Sequence, residues 1–147
     1  INWALLLDAG IKAQFMLMGE GFDRQELEAQ VRELQLNSVV HMPGYYRKVA
    51  DIYGISDILC VPSLMEGLGL VILEGMYFGV PVIASSVGGI PELIPPADVQ
   101  ALFDAMHRLA VNPDLAQALA QQGKERVKHF TVENMSRQVE NCYSELL

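Results

Sequence analysis

The chain has 147 residues, of which 51% are hydrophobic, and a formal charge of −8; its mean hydropathy is +0.23 and its pI about 4.7. That length and apolar content favour one packed domain over disorder. The acidic balance argues against nucleic acid or an anionic lipid surface as partner, since both reward clusters of Lys and Arg, but a small anion held by backbone N–H groups stays open.

Asn2 is placed to cap a first helix running to about Ala9, with Trp3, Leu6 and Leu7 inward and Gly10 as its stop. "AQFMLMG" (Ala13–Gly19) reads as a short buried strand, and "GEGFD" as a tight turn after it. Asp23 with Glu26 three residues on forms a capping-box pattern, and Leu27, Val31 and Leu34 give a helical stripe. "SVVHMPG" (Ser38–Gly44) is the next strand and Arg47–Ile55 the next helix. "DILCVPS" is a third strand, Gly69–Phe78 a helix, and "PVIAS" (Pro81–Ser85) a fourth strand.

Short apolar strands alternating with helices call for a parallel sheet covered on both faces. After Ser85 the alternation stops. "SVGGIPELIPP" is loop-like, and Asp98 is placed to cap a helix bearing Val99, Leu102, Phe103, Met106 and Leu109. Asn112-Pro113 ends that helix, a short one holds Leu115 and Leu119, and Thr131 caps a last one with Met135, Val139, Cys142 and Leu146. The expected architecture is α/β: a Rossmann-like parallel sheet, helices on both faces, and a C-terminal helical tail.

Two cysteines, Cys60 and Cys142, lie far apart with no CxxC pattern, and Cys60 sits in a strand as an ordinary core thiol. A reducing cytoplasm fits that usage. His41, His107 and His129 have no metal-ligand spacing to one another or to cysteine, so no metal is expected. No apolar run approaches the ~20 residues needed to span a bilayer. "INWALLLDAGIKA" lacks a basic leader and an initiator Met, and a doubly wound domain ordinarily begins with a strand, so the chain is expected to be a piece of a longer protein.

Chemistry concentrates in "PSLMEGLGLVILEGMYFGVPVIAS" (Pro62–Ser85), where Glu66 and Glu74 stand eight positions apart in an otherwise apolar segment. A buried charge needs a partner. The segment lies where a strand hands over to a helix, the end of an open parallel sheet at which ligands bind. Gly67 and Gly69 let backbone approach a ligand closely. The N–H groups of Leu68, Gly69, Leu70 and Val71 are then free donors at a helix N-terminus, which favours an anion such as a diphosphate. Carboxylates repel phosphate but accept hydrogen bonds from sugar hydroxyls, so Glu66 and Glu74 can flank the anion and hold diols on either side. A nucleotide sugar has that pattern. Simple solvent exposure is the competing account of Glu66, in a loop; for Glu74 a solvated stripe is hard to draw on "LVILEGMYF". Gly75 costs roughly 1 kcal/mol relative to Ala in a helix interior, which points to close packing or close ligand approach.

"PSLMEGLGLVILEGMYFGVPVIASSVGGIPELI" resembles the signature of the family-4 retaining glycosyltransferases, including its E-x7-E pair. "FMLMGEGFDRQELEAQVRELQL" and "VVHMPGYYRKVADIYGISDILCVPS" are similar to that family's donor-domain pattern in order and spacing, so the resemblance covers nearly the whole chain. It implies a GT-B enzyme of two Rossmann-like domains, with residues 1–147 as the C-terminal, donor-binding one, lacking its first strand and the N-terminal acceptor-binding domain. On that resemblance Glu74 binds ribose hydroxyls, Glu66 contacts the transferred sugar as the catalytic carboxylate, and backbone amides of Gly67, Leu68, Gly69, Leu70 and Val71 hold sugar hydroxyls and phosphate. Gly19, Gly21, Gly44 and Tyr45 line the nucleotide pocket. The resemblance further implies metal-independent, retaining transfer from a nucleoside diphosphate sugar, with no cofactor, in a cytoplasmic protein whose attachment to a membrane surface, if any, resides in the upstream domain. Two departures stand out: the family's Arg and Lys near the first strand have no matching positions here, and its "TGLLV"-like strand is missing where Ile94 runs into Pro95.

Other readings compete. "GEGFDR" has Arg24 where a dinucleotide fingerprint needs a third glycine. His41 reads as a core or edge histidine, and Tyr45, Tyr46 and Arg47 as either base-stacking groups or ordinary loop residues. A hydrolase would use Glu66 and Glu74 as its carboxylate pair, at roughly 5–5.5 or 6.5–9.5 Å. A non-catalytic nucleotide- or sugar-binding module remains open; a flavodoxin-like signalling domain is disfavoured by the lack of an early acidic cluster.

Overall fold

The computed structural model describes residues 3–64, 67, 69–85 and 99–145. Its elements run α1 (Trp3–Asp8), β1 (Phe15–Met18), α2 (Arg24–Glu33), β2 (Val40–Gly44), α3 (Val49–Gly54), β3 (Leu59–Val61), α4 (Leu70–Phe78), β4 (Val82–Ala84), α5 (Val99–Ala110), α6 (Pro113–Val127) and α7 (Val132–Glu145).

All strand pairing is parallel. β1 pairs with β2 in the register Phe15–Val40 and Met16–His41, slipping before Met18–Gly44. β3 pairs with β4 as Leu59–Val82, Cys60–Ile83 and Val61–Ala84. Among the described residues the ladders form these two pairs. The strands are also shorter than their apolar runs, because ladder bonds form only where a neighbour lies alongside.

Side-chain alternation sends the β3–β4 pair to two cores, as a period of two requires. Leu59, Val61, Val82 and Ala84 pack with Ile72 and Met76 of α4. Cys60 and Ile83 pack on the opposite face with Leu6 of α1 and Met106 and Leu109 of α5, and Phe15 of β1 joins that cluster. A third cluster seats Val31, Leu36 and Val40 with Leu7, Phe15 and Leu17. Helices therefore cover both faces.

Helix ends follow local chemistry. α1 closes in a Schellman motif: Gly10 has φ +81, its N–H donates to Leu7 O, and Ile11 N–H donates to Leu6 O. Gly79 (φ +75) ends α4 the same way, with Val80 N–H donating to Gly75 O. α2 repeats the motif without glycine, since Gln35 takes φ +55 while Leu36 N–H donates to Val31 O. The capping box expected at Asp23 does not form; its side chain makes no cap hydrogen bond. At α6, Asn112 Oδ1 accepts from Leu115 N–H at 3.1 Å, with Pro113 in the first turn. That helix extends to Val127 over 15 residues, well beyond the short one expected. Thr131 Oγ1 accepts from Asn134 N–H at 3.2 Å, so the cap expected for α7 does form. The capping positions expected at Asn2 and Asp98 lie outside the described residues.

Gly75 explains itself in packing. A Cβ there would stand 2.5 Å from Leu59 Cδ2 and 3.2 Å from Val82 Cγ2, so α4 lies on the strands with no side chain between. α4 also packs against α6, where a Cβ on Gly123 would meet Met76 Cγ at 3.1 Å. α4 is thus held by both the strands and α6.

Candidate functional site

The expected site residues fall into two groups at the carboxyl ends of the strands. The first joins β1 to β2. Gly19 N–H donates to Gly44 O at 3.0 Å, and both glycines have positive φ, +106 and +78. Any side chain on Gly44 would collide with the Glu20 carboxylate. Arg24 pins this turn: its guanidinium donates to Glu20 at 3.2 Å, to Glu28 at 2.9 Å and to Met42 O at 2.8 Å. Residues 17–24, including Gly19 and Gly21, border a cavity of about 210 Å³ together with Leu27 and Met42. That is smaller than a whole small-molecule pocket, and suits one part of a ligand. Tyr45 stands exposed just after Gly44, while Tyr46 donates its hydroxyl to Asp51 at 3.2 Å.

The second group is the β3–α4 turn. Gly69, buried, is the N-cap of α4 in the left-handed conformation, φ +65 and ψ 60. Any other residue would be strained there. The first bond of the helix runs from Ile72 N–H to Gly69 O at 2.8 Å, so the amides of Leu70 and Val71 precede the ladder, on residues that are exposed. Gly67 is exposed beside them. Glu66 and Leu68 lie outside the described residues.

Glu74, one turn further along α4, is partly buried. Its Oε2 accepts a hydrogen bond of 2.8 Å from the Tyr53 hydroxyl. Tyr53 comes from α3, is buried to 8% exposure, and stacks its ring on Phe78 at 5.2 Å and 14°. Burial, reinforced by the hydrogen bond to Glu74 and its negative charge, raises the phenol's pKa well above the ordinary value. Sequence reasoning missed Tyr53. The available signal was Glu74 and Phe78 at i, i+4 on one helix face, an acceptor and a ring side by side; which of five tyrosines met them was not readable.

The remaining polar groups are ordinary. His41 is exposed on β2 and hydrogen-bonds through Nε2 to Gln14 at 2.7 Å. Burial pushes the Cys60 thiol up to about 12, as for an inert core cysteine. Among the described residues no group of three or more His, Cys, Asp and Glu could hold a metal ion, and no helix is long and apolar enough to cross a membrane.

Parallel strands between two helical layers, with glycine turns gathered at the strands' carboxyl ends, define an α/β domain of the GT-B glycosyltransferase kind. Residues 2–130 match the family model "Glycosyl transferases group 1", and the chain belongs to that family. N-acetyl-alpha-D-glucosaminyl L-malate synthase of Bacillus anthracis is 30% identical over 147 residues, covering 93% of this chain and 39% of that protein. Sucrose-phosphate synthase from Thermosynechococcus elongatus superposes with a TM-score of 0.82 at 30% identity, covering 99% of this chain and 41% of that one. HepE of Anabaena, solved in complex with UDP, has a TM-score of 0.82 at 23% identity, covering 98% and 44%. The chain thus spans roughly two fifths of such relatives.

Proposed function

We propose that this chain is the nucleotide-sugar donor-binding domain of a retaining glycosyltransferase. The observation that carries the reading is the α4 N-terminus. A left-handed Gly69 is followed by the amides of Leu70 and Val71, both exposed residues, one turn from the held carboxylate of Glu74. Amides and the helix dipole attract the diphosphate; Glu74 accepts from ribose hydroxyls. Glu66 contacts the transferred sugar as the catalytic carboxylate, with Gly67 and Leu68 completing the amide cradle. The cavity bordered by Gly19 and Gly21 takes the nucleoside end, with the turn at Gly44 and Tyr45 assigned to the same pocket. The complex of HepE with UDP supports this choice of ligand class.

In this reading the sugar leaves its diphosphate without a metal ion or other cofactor, and an N-terminal acceptor-binding domain of the same enzyme supplies the other wall of the cleft, in the cytoplasm. The doubly wound strand order 3-2-1-4-5 puts strand 1 between strands 2 and 4, which is the place between the β1–β2 and β3–β4 pairs; a strand ahead of Trp3 fits there. The exposed apolar stripe of α7, Val132, Met135, Val139 and Tyr143, offers the upstream domain a surface.

Titrating the 15N-labelled chain with UDP, GDP, ADP and their glucose conjugates tests the reading. Shifts at Gly67–Val71 and Gly19–Gly21 that weaken in Glu74→Ala are expected; no response from any nucleotide, also after upstream extension, would refute it. The extended protein is then expected to transfer sugar to an acceptor, where this chain alone does not. Binding without transfer by the extended protein would favour a non-catalytic module, and release of sugar from a glycoside lacking a nucleotide would favour a hydrolase.

A further inference from the structure

We propose that Tyr53 is the positioning residue of the donor site, orienting the Glu74 carboxylate toward the ribose through its hydroxyl. The inference rests on the reading of Glu74 given above and adds a residue from a different element. Two contacts fix the tyrosine. Its ring lies nearly parallel on Phe78, 14° between planes, and its hydroxyl meets Glu74 Oε2 at 2.8 Å. Glu74 and Phe78 are four residues apart, so one face of α4 supplies both. The Val71 carbonyl, at 3.5 Å, is too distant to compete as the main acceptor.

The chemistry favours orientation over simple satisfaction of a buried hydroxyl. A glutamate has three side-chain torsions, and an unheld one samples many directions before a ligand arrives. Holding Oε2 from a rigid aromatic gives the second oxygen, Oε1, a defined direction as well. Tyr53 is itself mostly buried at 8% exposure, so it does not compete with a ligand for the open side. Because the phenol is neutral, it orients the carboxylate without cancelling the charge that attracts hydroxyl donors.

The test is a binding cycle on the 147-residue chain with UDP, GDP and ADP, each beside its 2′,3′-dideoxy counterpart. Tyr53→Phe keeps the ring on Phe78 and removes only the hydroxyl, and amide spectra verify its fold. The expected result is a dissociation constant about three- to tenfold higher for the ribonucleotide. Little change is expected for the dideoxy form, and no further loss when Tyr53→Phe is added to Glu74→Ala. Wild-type affinity in Tyr53→Phe, with loss in Glu74→Ala, would overturn the positioning role and leave the donor-site reading intact. Equal losses for ribo- and dideoxynucleotides would mark general damage and also overturn it. Undiminished binding in Glu74→Ala, or no binding by the unaltered chain and by its upstream extension alike, would bring down both.

Discussion

Replacing Gly75 by alanine sets two known terms against each other on the helix that carries the site. In an exposed helix interior the change would stabilise by about 1 kcal/mol, since glycine loses more backbone freedom on folding. Here the new methyl would lie 2.5 Å from Leu59 Cδ2 and 3.2 Å from Val82 Cγ2. Carbon atoms prefer about 3.5–4.0 Å, so one neighbour must yield by about 1 Å. Leu59 can turn its end, but Val82 is β-branched and stiff, and α4 is also packed against α6. Overpacking of this kind costs about 1–3 kcal/mol. The net expectation is a loss of about 1 kcal/mol, or about 2–4 °C in melting temperature for a domain this size. Displacement of α4 would also pull Glu74 from Tyr53, so nucleotide affinity should fall in the same variant. Thermal and urea unfolding beside the nucleotide titration measure both effects. A Gly75→Ala protein more stable than the unaltered chain would refute the packing argument.

Three further outcomes follow from local geometry. Gln35 is exposed with φ +55, a conformation that glycine adopts freely, so Gln35→Gly should raise stability by about 0.5–1 kcal/mol in urea unfolding; a loss would refute the strain. Tyr53 has its pKa raised above 10.0 by burial and by Glu74, so its contribution to stability is present below pH 10 and declines above it, as the unfolded chain gives up a proton that the native one retains. Alkaline titration by tyrosinate absorbance should show one of the five tyrosines ionising only on unfolding, and Tyr53→Phe should flatten the loss of stability above pH 10. At neutral pH a disulfide reagent should label exposed Cys142 and spare Cys60, whose thiol is held near 12, until denaturant is added; rapid labelling of both would contradict the burial.

How much of this was legible in the sequence depends on the range of the forces involved. Apolar periodicity and glycine punctuation act locally, and all the helices and strands expected from them in the described residues are present. Gly10 ends α1 where its position suggested. The capping box at Asp23 failed although its spacing was right: the backbone of Asp23 takes φ −87 and ψ 5 instead of the extended conformation usual for an N-cap, and the Glu26 carboxylate accepts from Gln30. The length of α6 was underestimated because "LAQALAQQGKERV" contains Gly123, which reads as a break but serves as the place where α4 comes close. For Glu74 the sequence required a partner and could not name it, since Tyr53 is 21 residues away. Contacts between separate elements set that choice, and single-chain periodicity carries no record of them.

The charge pattern bears on what this half of the site can do by itself. From Val49 through His107 the sequence contains neither Lys nor Arg, a span that includes all of β3, α4 and β4. Lys124 lays its side chain over Gly79, at the end of α4 opposite the amides. The proposed anion site therefore rests on backbone N–H groups and a helix dipole equivalent to roughly half a positive charge. A diphosphate carries several times that in negative charge, and Glu74 adds to the local excess. Amides can orient such a group but cannot neutralise the charge that grows on it as a sugar departs, the term that usually dominates catalysis of this kind. In the proposed reading the compensating cations lie on segments outside this span, beside the first strand that the family resemblance puts upstream. In that reading the domain recognises the ligand through hydroxyls and geometry, and turnover requires that the positive charge be brought to the same cleft.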